Sequence, residues 1–175
     1  MHIAHHYKFL LVLGLAAGLI VSGCNRGKKV GANQPVADGN YRVTNADTTA
    51  DAPTIASKAN TLAMTNRLDD AIMLLNANIR RFKGKDKAII LDQRGTAFFM
   101  KDDYNHAIGD FLTANELDPS NPAYLINVSE TYEEIGNNPN AVFFSKKILD
   151  LSNASDSDRI VANARIERCS LIRSH

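Results

Sequence analysis

Tryptophan is absent from this 175-residue chain, and cysteine occurs only twice, at Cys24 and Cys169. Two cysteines cannot build the disulfide framework that staples small secreted domains. Charge of one sign is also missing. Twenty basic residues face 19 acidic ones, and Lys8 is the sole charge before residue 24, so residues 24–175 balance at 19 of each sign. That balance argues against nucleic acid as a partner, because its binders carry a basic excess or a basic face. Histidine nearly disappears after the first residues, leaving His106 and His175. There is no glycine-rich phosphate loop, no GxSxG, no HExxH and no Cys/His pair spaced for zinc. No apolar run reaches the ~20 residues that a membrane-spanning helix needs. With 45% apolar residues, the chain is nonetheless too hydrophobic to be wholly disordered. One ordinary domain with tails fits the length.

The longest apolar run is Phe9–Val21, FLLVLGLAAGLIV, 13 residues behind a short segment with one lysine and no acid. That length suits the core of an export signal rather than a span, with a signal-anchor as the alternative. The run leads into Val21-Ser22-Gly23-Cys24. This tetrapeptide resembles the bacterial lipoprotein lipobox: an aliphatic residue, two small residues, then the cysteine whose thiol accepts diacylglycerol. The other reading is an ordinary cleavage site with a chance cysteine. The resemblance implies a signal peptide over 1–23, cleavage before Cys24, and thioether- and amide-linked acyl chains such as palmitate on it. Several buried chains, at ~0.8 kcal/mol per methylene, anchor a protein almost irreversibly. Asn25 rather than Asp follows the cysteine, which by similarity to enterobacterial sorting signals implies the outer membrane, facing the periplasm. Residues 25–54 contain no Leu, Ile, Phe or Met but several Gly, Pro, Asn and Thr. Such a stretch cannot offset its ordering entropy, so 24–54 reads as the lipidated N-terminus and a flexible tether.

From Ile55 onward, apolar residues recur at helical spacing with short polar breaks, and no alternating strand pattern appears. Ile55, Ala59 and Leu62 mark one helix, ended at Asn66-Arg67. Asp69 is positioned to cap the next, with Ile72, Leu75 and Ile79. A turn at Lys83–Asp86 precedes Ile90, Leu91, Ala97 and Phe98. A break at Asp102-Asp103 precedes Ala107, Ile108, Phe111 and Leu117. Asn121 is a candidate cap before Pro122. Leu125, Val128, Tyr132 and Ile135 follow, ended by Gly136. Ala141, Phe144, Ile148 and Leu151 form a sixth helix. Ser155–Asp158 would cap a seventh carrying Ile160, Val161, Ile166, Cys169 and Ile172. The body of the protein, 55–175, is expected to be all-α.

Small residues near the start of each second helix, Ala71, Ala107 and Ala141, stand 36 and 34 residues apart. Residues 88–121 resemble the tetratricopeptide repeat, through Leu91, Gly95, Phe98, Ala107, Phe111, Ala114 and Pro119, with Arg94 departing from the pattern. Residues 122–155 match less fully through Leu125, Ser129, Tyr132, Ala141 and Ile148, with Ser145 where an aromatic belongs and Phe144 as the side chain that would fill its volume. Residues 52–87 match through Ile55, Ala59, Leu62, Ala71 and Leu75. The resemblance implies a right-handed α-α superhelix of about three hairpins, closed by a capping helix over about 157–173.

Members of that family mostly recognise partners along the groove lined by their first helices. Transferring the groove positions gives Asn60, Ala63 and Met64, then Ile89, Asp92, Thr96, Phe99 and Met100, then Ile126, Asn127, Glu130, Glu133 and Glu134. Phe99 and Met100 would offer an adaptable apolar surface, or else pack on a neighbouring repeat. The three glutamates would form an acidic edge favouring a basic partner. Ala56 stands where a carboxylate clamp needs lysine. His106 lacks a catalytic companion and reads as a surface residue. Cys169 reads as a core thiol. Arg80, Arg81, Lys83, Lys85 and Lys87 ring the Gly84 turn, as a solvated loop or a contact for anionic headgroups or wall polymer. The expected function is therefore a non-enzymatic, lipid-anchored envelope scaffold that binds a protein or peptide partner, needs no cofactor or metal, and serves the assembly of an envelope complex. The alternative is a lipoprotein binding cell-wall glycan or a small molecule.

Overall fold

The computed structural model describes residues 49–171. The export signal over 1–23, Cys24, the tether up to residue 48 and the last four residues lie outside that range. Seven α-helices make up the described residues, with no strand among them: α1 (Ala52–Met64), α2 (Leu68–Asn78), α3 (Gly84–Met100), α4 (Tyr104–Leu117), α5 (Pro122–Glu134), α6 (Asn138–Asp150) and α7 (Asp156–Leu171). A single 3-10 turn, Ile79–Arg81, extends α2. The described residues are all-α, as their apolar periodicity predicts.

Local chemistry sets the helix ends. The Asp51 carboxylate accepts the Thr54 N–H at 2.9 Å, and Pro53 occupies the first turn, where its missing N–H costs nothing. The first helix therefore begins at Ala52, inside the stretch read as tether. Composition misled there, because Pro53 is a breaker in a tether and a starter in a helix. Asn121 caps α5 through the Ala123 N–H at 3.1 Å, ahead of Pro122. Ser155 and Asp158 form a reciprocal capping box at the start of α7, with Ser155 N–H to Asp158 Oδ2 at 2.9 Å and Asp158 N–H to Ser155 Oγ at 3.2 Å. Asp69, in contrast, is not a cap. Helix α2 starts one residue earlier, at Leu68, and Asp69 pairs with Lys101 across to α3.

One turn geometry closes α1, α3 and α5 alike. Asn66, Asp102 and Gly136 take positive φ values of 62°, 61° and 74°. In each case the next N–H reaches back five residues: Arg67 to the Leu62 carbonyl at 2.9 Å, Asp103 to Phe98 at 2.9 Å, and Asn137 to Tyr132 at 2.8 Å. These are Schellman closures, which satisfy the last carbonyls of the helix and reverse the chain within three residues. Their spacing is again 36 and 34 residues, the separation of Ala71, Ala107 and Ala141, all of which are fully buried.

The closures fold α1–α2, α3–α4 and α5–α6 into antiparallel pairs. Helices α1, α3, α5 and α7 make a row in which each touches the next, and each even-numbered helix wedges between two members of that row. Corresponding positions carry the core of each pair. Ile55, Leu91 and Leu125 are buried, as are Leu75, Phe111 and Ser145, and then Asn78, Ala114 and Ile148. The tightest approach lies in the second pair. A Cβ on Gly95 would stand 2.7 Å from Phe111 Cε1 and 2.9 Å from Cδ1. Only a hydrogen there lets the ring lie flat on α3. In the third pair Ser129 and Ser145 stand at the positions of Gly95 and Phe111, and both are buried. Phe144 stacks on Tyr132 with ring centres 5.5 Å apart, while the buried Ser145 hydroxyl has no hydrogen-bond partner. Among the described residues, no helix is long and apolar enough to cross a membrane.

Candidate functional site

Two arginines, Arg94 half-buried and Arg165 buried, organise the faces between the helices. Arg94 occupies a helix position where the surrounding pattern predicts an aliphatic residue. Its guanidinium forks onto Asp110 of α4, with Nε and Nη2 each at 2.7 Å from a carboxylate oxygen, and Nη1 donates to Asn76 Oδ1 on α2 at 2.6 Å. The departure from the pattern is thus a clasp binding three helices. Arg165, 2% exposed, does the same for the last helix. It donates from Nε to Glu133 Oε2 at 2.8 Å and from Nη1 to Ser129 Oγ at 2.7 Å, with Glu130 at 3.7 Å. Arg168 adds a second fork onto Glu133, at 2.8 and 3.0 Å.

The expected acidic edge is consequently not one open surface. Glu133 is neutralised by α7. Burial works against its charge, but the hydrogen bonds from Arg168 and Arg165 outweigh that and hold its pKa below the usual carboxylate range. Glu130 goes the other way: burial raises its pKa, opposed by the Arg165 charge. Glu134 remains exposed. The buried stripe of α7 runs through Ala162, Arg165 and Cys169, and Ile160, expected to face inward, is 68% exposed. The signal for Arg165 was present in the sequence as a cation in mid-stripe opposite three glutamates, but hydrophobic periodicity counts such a residue against burial.

The row α1–α3–α5 keeps a different polar face. Asp92 on α3 accepts the Asn127 amide of α5 at 2.8 Å, and Gln93 approaches its other oxygen at 3.4 Å. Among the described residues, no arginine or lysine bonds to it. Burial pushes the Asp92 carboxyl up to about 6, against the lowering effect of the Asn127 bond. Thr96, one turn along, bonds its hydroxyl to the Asp92 carbonyl at 2.9 Å. Asn60 is half-buried on α1, and Met64 is 46% exposed beside the first closure. Asp92, Asn127 and Thr96 are therefore brought together, while Asn60 and Met64 sit on the same row one helix away. Phe99 and Met100 are half-buried. Phe99 packs on the cluster of Ala107, Phe111 and Val128, and Met100 packs on the core of the first pair. Both therefore contribute to packing between the helices while staying partly exposed. Cys24, the remaining site residue, lies outside the described residues.

Elsewhere the chemistry is sparse. His106 is exposed, stacked on Phe98 at 5.0 Å and bonded through Nδ1 to Asp103 at 2.7 Å. Cys169 is buried, and burial raises its thiol pKa, which disfavours the nucleophilic thiolate. A cleft of about 310 Å³ between α6 and α7 is lined by Asn138, Pro139, Val142, Lys146, Cys169 and Ser170. Among the described residues no three His, Cys, Asp or Glu side chains converge to hold a metal ion. No protein-family model matches the chain, and no curated protein matches it.

Proposed function

We propose that the chain is a lipid-anchored scaffold of a bacterial envelope. In this reading its helical pairs are tetratricopeptide-like repeats stacked as a superhelix, and the row α1–α3–α5 grips a protein or peptide partner. The threefold return of one closure at spacings of 36 and 34 supports the repeat architecture. The observation that carries the binding role is Asp92. A carboxylate held on a shared face by amides alone, without a cation, is an acceptor that water satisfies poorly. A partner's backbone N–H groups or ammonium would complete it. Asn127 beside it offers both a donor and an acceptor to an extended chain. Glu133 does not enter this surface, because Arg165 and Arg168 already hold it. Nothing in the arrangement calls for bond making or breaking, so the proposed role is recognition, with Cys24 as anchor and the outer membrane as its place.

Photo-crosslinking in the native envelope tests the reading. A crosslinking side chain at Thr96 or Met64 should capture one defined partner, and the same group at Met73 on α2 or Phe143 on α6 should not. Asp92→Asn should reduce capture from Thr96. Equal capture from the even-numbered helices, or adducts made only with glycan strands, would refute it.

A further inference from the structure

The basic turn between α2 and α3 has no part in the partner-binding face. Residues 80–87 hold five cations, Arg80, Arg81, Lys83, Lys85 and Lys87, against one acid, Asp86. Since residues 24–175 balance at 19 of each sign, these eight residues carry +4 and all the others together −4. The turn is built rather than loose. Gly84 takes a φ of +52°, a conformation that any side chain would strain. Arg81 lies over the Phe82 ring at 5.1 Å and donates from Nη2 to the Ala50 carbonyl at 3.1 Å. That last bond fixes where the chain enters the helical body: beside the cationic turn. Lys85 pairs with Asp118 at 3.4 Å yet keeps 73% of its side chain exposed. Arg80 and Lys83 are exposed too.

We infer that this turn is a second membrane contact, which docks the first helical pair on the anionic lipid surface carrying the Cys24 anchor. The inference rests on the anchor reading above. Twenty-four residues lie between Cys24 and Thr49. Even fully extended, that length of chain reaches at most about 90 Å, so the anchor would keep the turn near the bilayer. Confinement makes a modest electrostatic gain sufficient. Each Lys or Arg near an anionic surface shifts the docking equilibrium by about fivefold. The −4 carried by the rest of the chain is repelled by the same surface, so docking is oriented, turn first.

Neutron reflectometry of the mature lipidated chain on supported bilayers tests this. On a phosphatidylcholine–phosphatidylglycerol bilayer the gap between body and membrane should be closed. On phosphatidylcholine alone, or at about 1 M salt, where screening acts within ~3 Å, it should open. Arg80→Gln/Lys83→Gln/Lys87→Gln should lower the docked-to-open ratio roughly a hundredfold, while Lys146→Gln/Lys147→Gln on α6 should leave it unchanged. A gap indifferent to lipid charge, a triple variant that docks like the parent, or tighter salt-sensitive binding to isolated cell-wall polymer than to these bilayers would overturn the inference. Mass spectrometry of Cys24 separates the two claims. A chain without acyl groups that still sediments with phosphatidylglycerol vesicles, and loses this in the triple variant, retains the contact and removes the anchor.

Discussion

Gly95→Ala is the sharpest test of how the second helical pair is packed. In an ordinary helix interior this change gains about 1 kcal/mol, because alanine is the better helix former. Here the new methyl would lie 2.7, 2.9 and 3.1 Å from three carbons of the Phe111 ring. Optimal carbon contacts are ~3.5–4.0 Å, so the ring must retreat by up to about 1 Å. Phe111 is 2% exposed and has no space to move into. Overpacking of this kind costs about 1–3 kcal/mol, which leaves a net loss of up to roughly 2 kcal/mol after the propensity gain of about 1 kcal/mol. The double-mutant cycle with Phe111→Leu makes the test specific. Phe111→Leu alone should cost about 1–1.5 kcal/mol. In that background the ring is gone, and Gly95→Ala should become neutral or stabilising by up to about 1 kcal/mol. The coupling between the two sites is then about 2 kcal/mol, well above the scatter of independent mutations. Urea melts followed by helical circular dichroism, with slopes compared to verify an unchanged transition, give all four values. If Gly95→Ala stabilises the parent, or costs the same with Phe111 and with Leu at that position, the close approach does not govern this interface.

Other perturbations probe the polar contacts. The folded-state pKa of Asp92 is raised from 3.8 to about 6, so the folded chain holds that proton more tightly than the unfolded chain. Ionisation therefore costs stability, in a loss that grows as pH rises from about 4 to about 6 and reaches at most roughly 3 kcal/mol above that. Asp92→Asn should raise the urea midpoint at neutral pH and flatten this part of the stability-versus-pH profile; an unchanged profile would show that Asp92 is well hydrated. Arg165→Leu strands Glu130 and half of the Glu133 contacts, and should cost about 3–5 kcal/mol in the same melts, whereas Arg165→Met with Glu133→Gln should recover most of it. Ser145→Ala removes a buried hydroxyl that has no partner, and should be neutral or stabilising by about 1 kcal/mol; a clear loss would reveal a hydrogen bond to a buried water.

The helices were legible from the sequence because their signals are local. Pro122 behind Asn121, Ser155 ahead of Asp158, and small residues at a fixed spacing are patterns in neighbouring residues, and all of them mark true helix starts or buried contacts. The charged clasps were not legible. Arg94 read as a departure from a pattern, and Arg165 interrupted an apolar stripe, because each is stabilised by partners at least 16 residues away. A buried ion pair is specified by two distant residues at once, and one-dimensional periodicity sees only one of them. The candidate binding face was half legible. Asp92, Thr96 and Asn127 do come together on adjacent helices, whereas Glu133 turned inward for the same long-range reason.

The Arg94 clasp bears on how the array comes apart. Helical pairs joined only by apolar contact can detach from one end singly, each melting at its own threshold. A guanidinium holding Asn76 and Asp110 at once ties neighbouring modules through a single rigid fork, and losing any one strut exposes the others. Mechanical pulling on the N-terminal side of the helical body should therefore meet one abrupt yield of the first two helical pairs together, rather than a staircase of small releases.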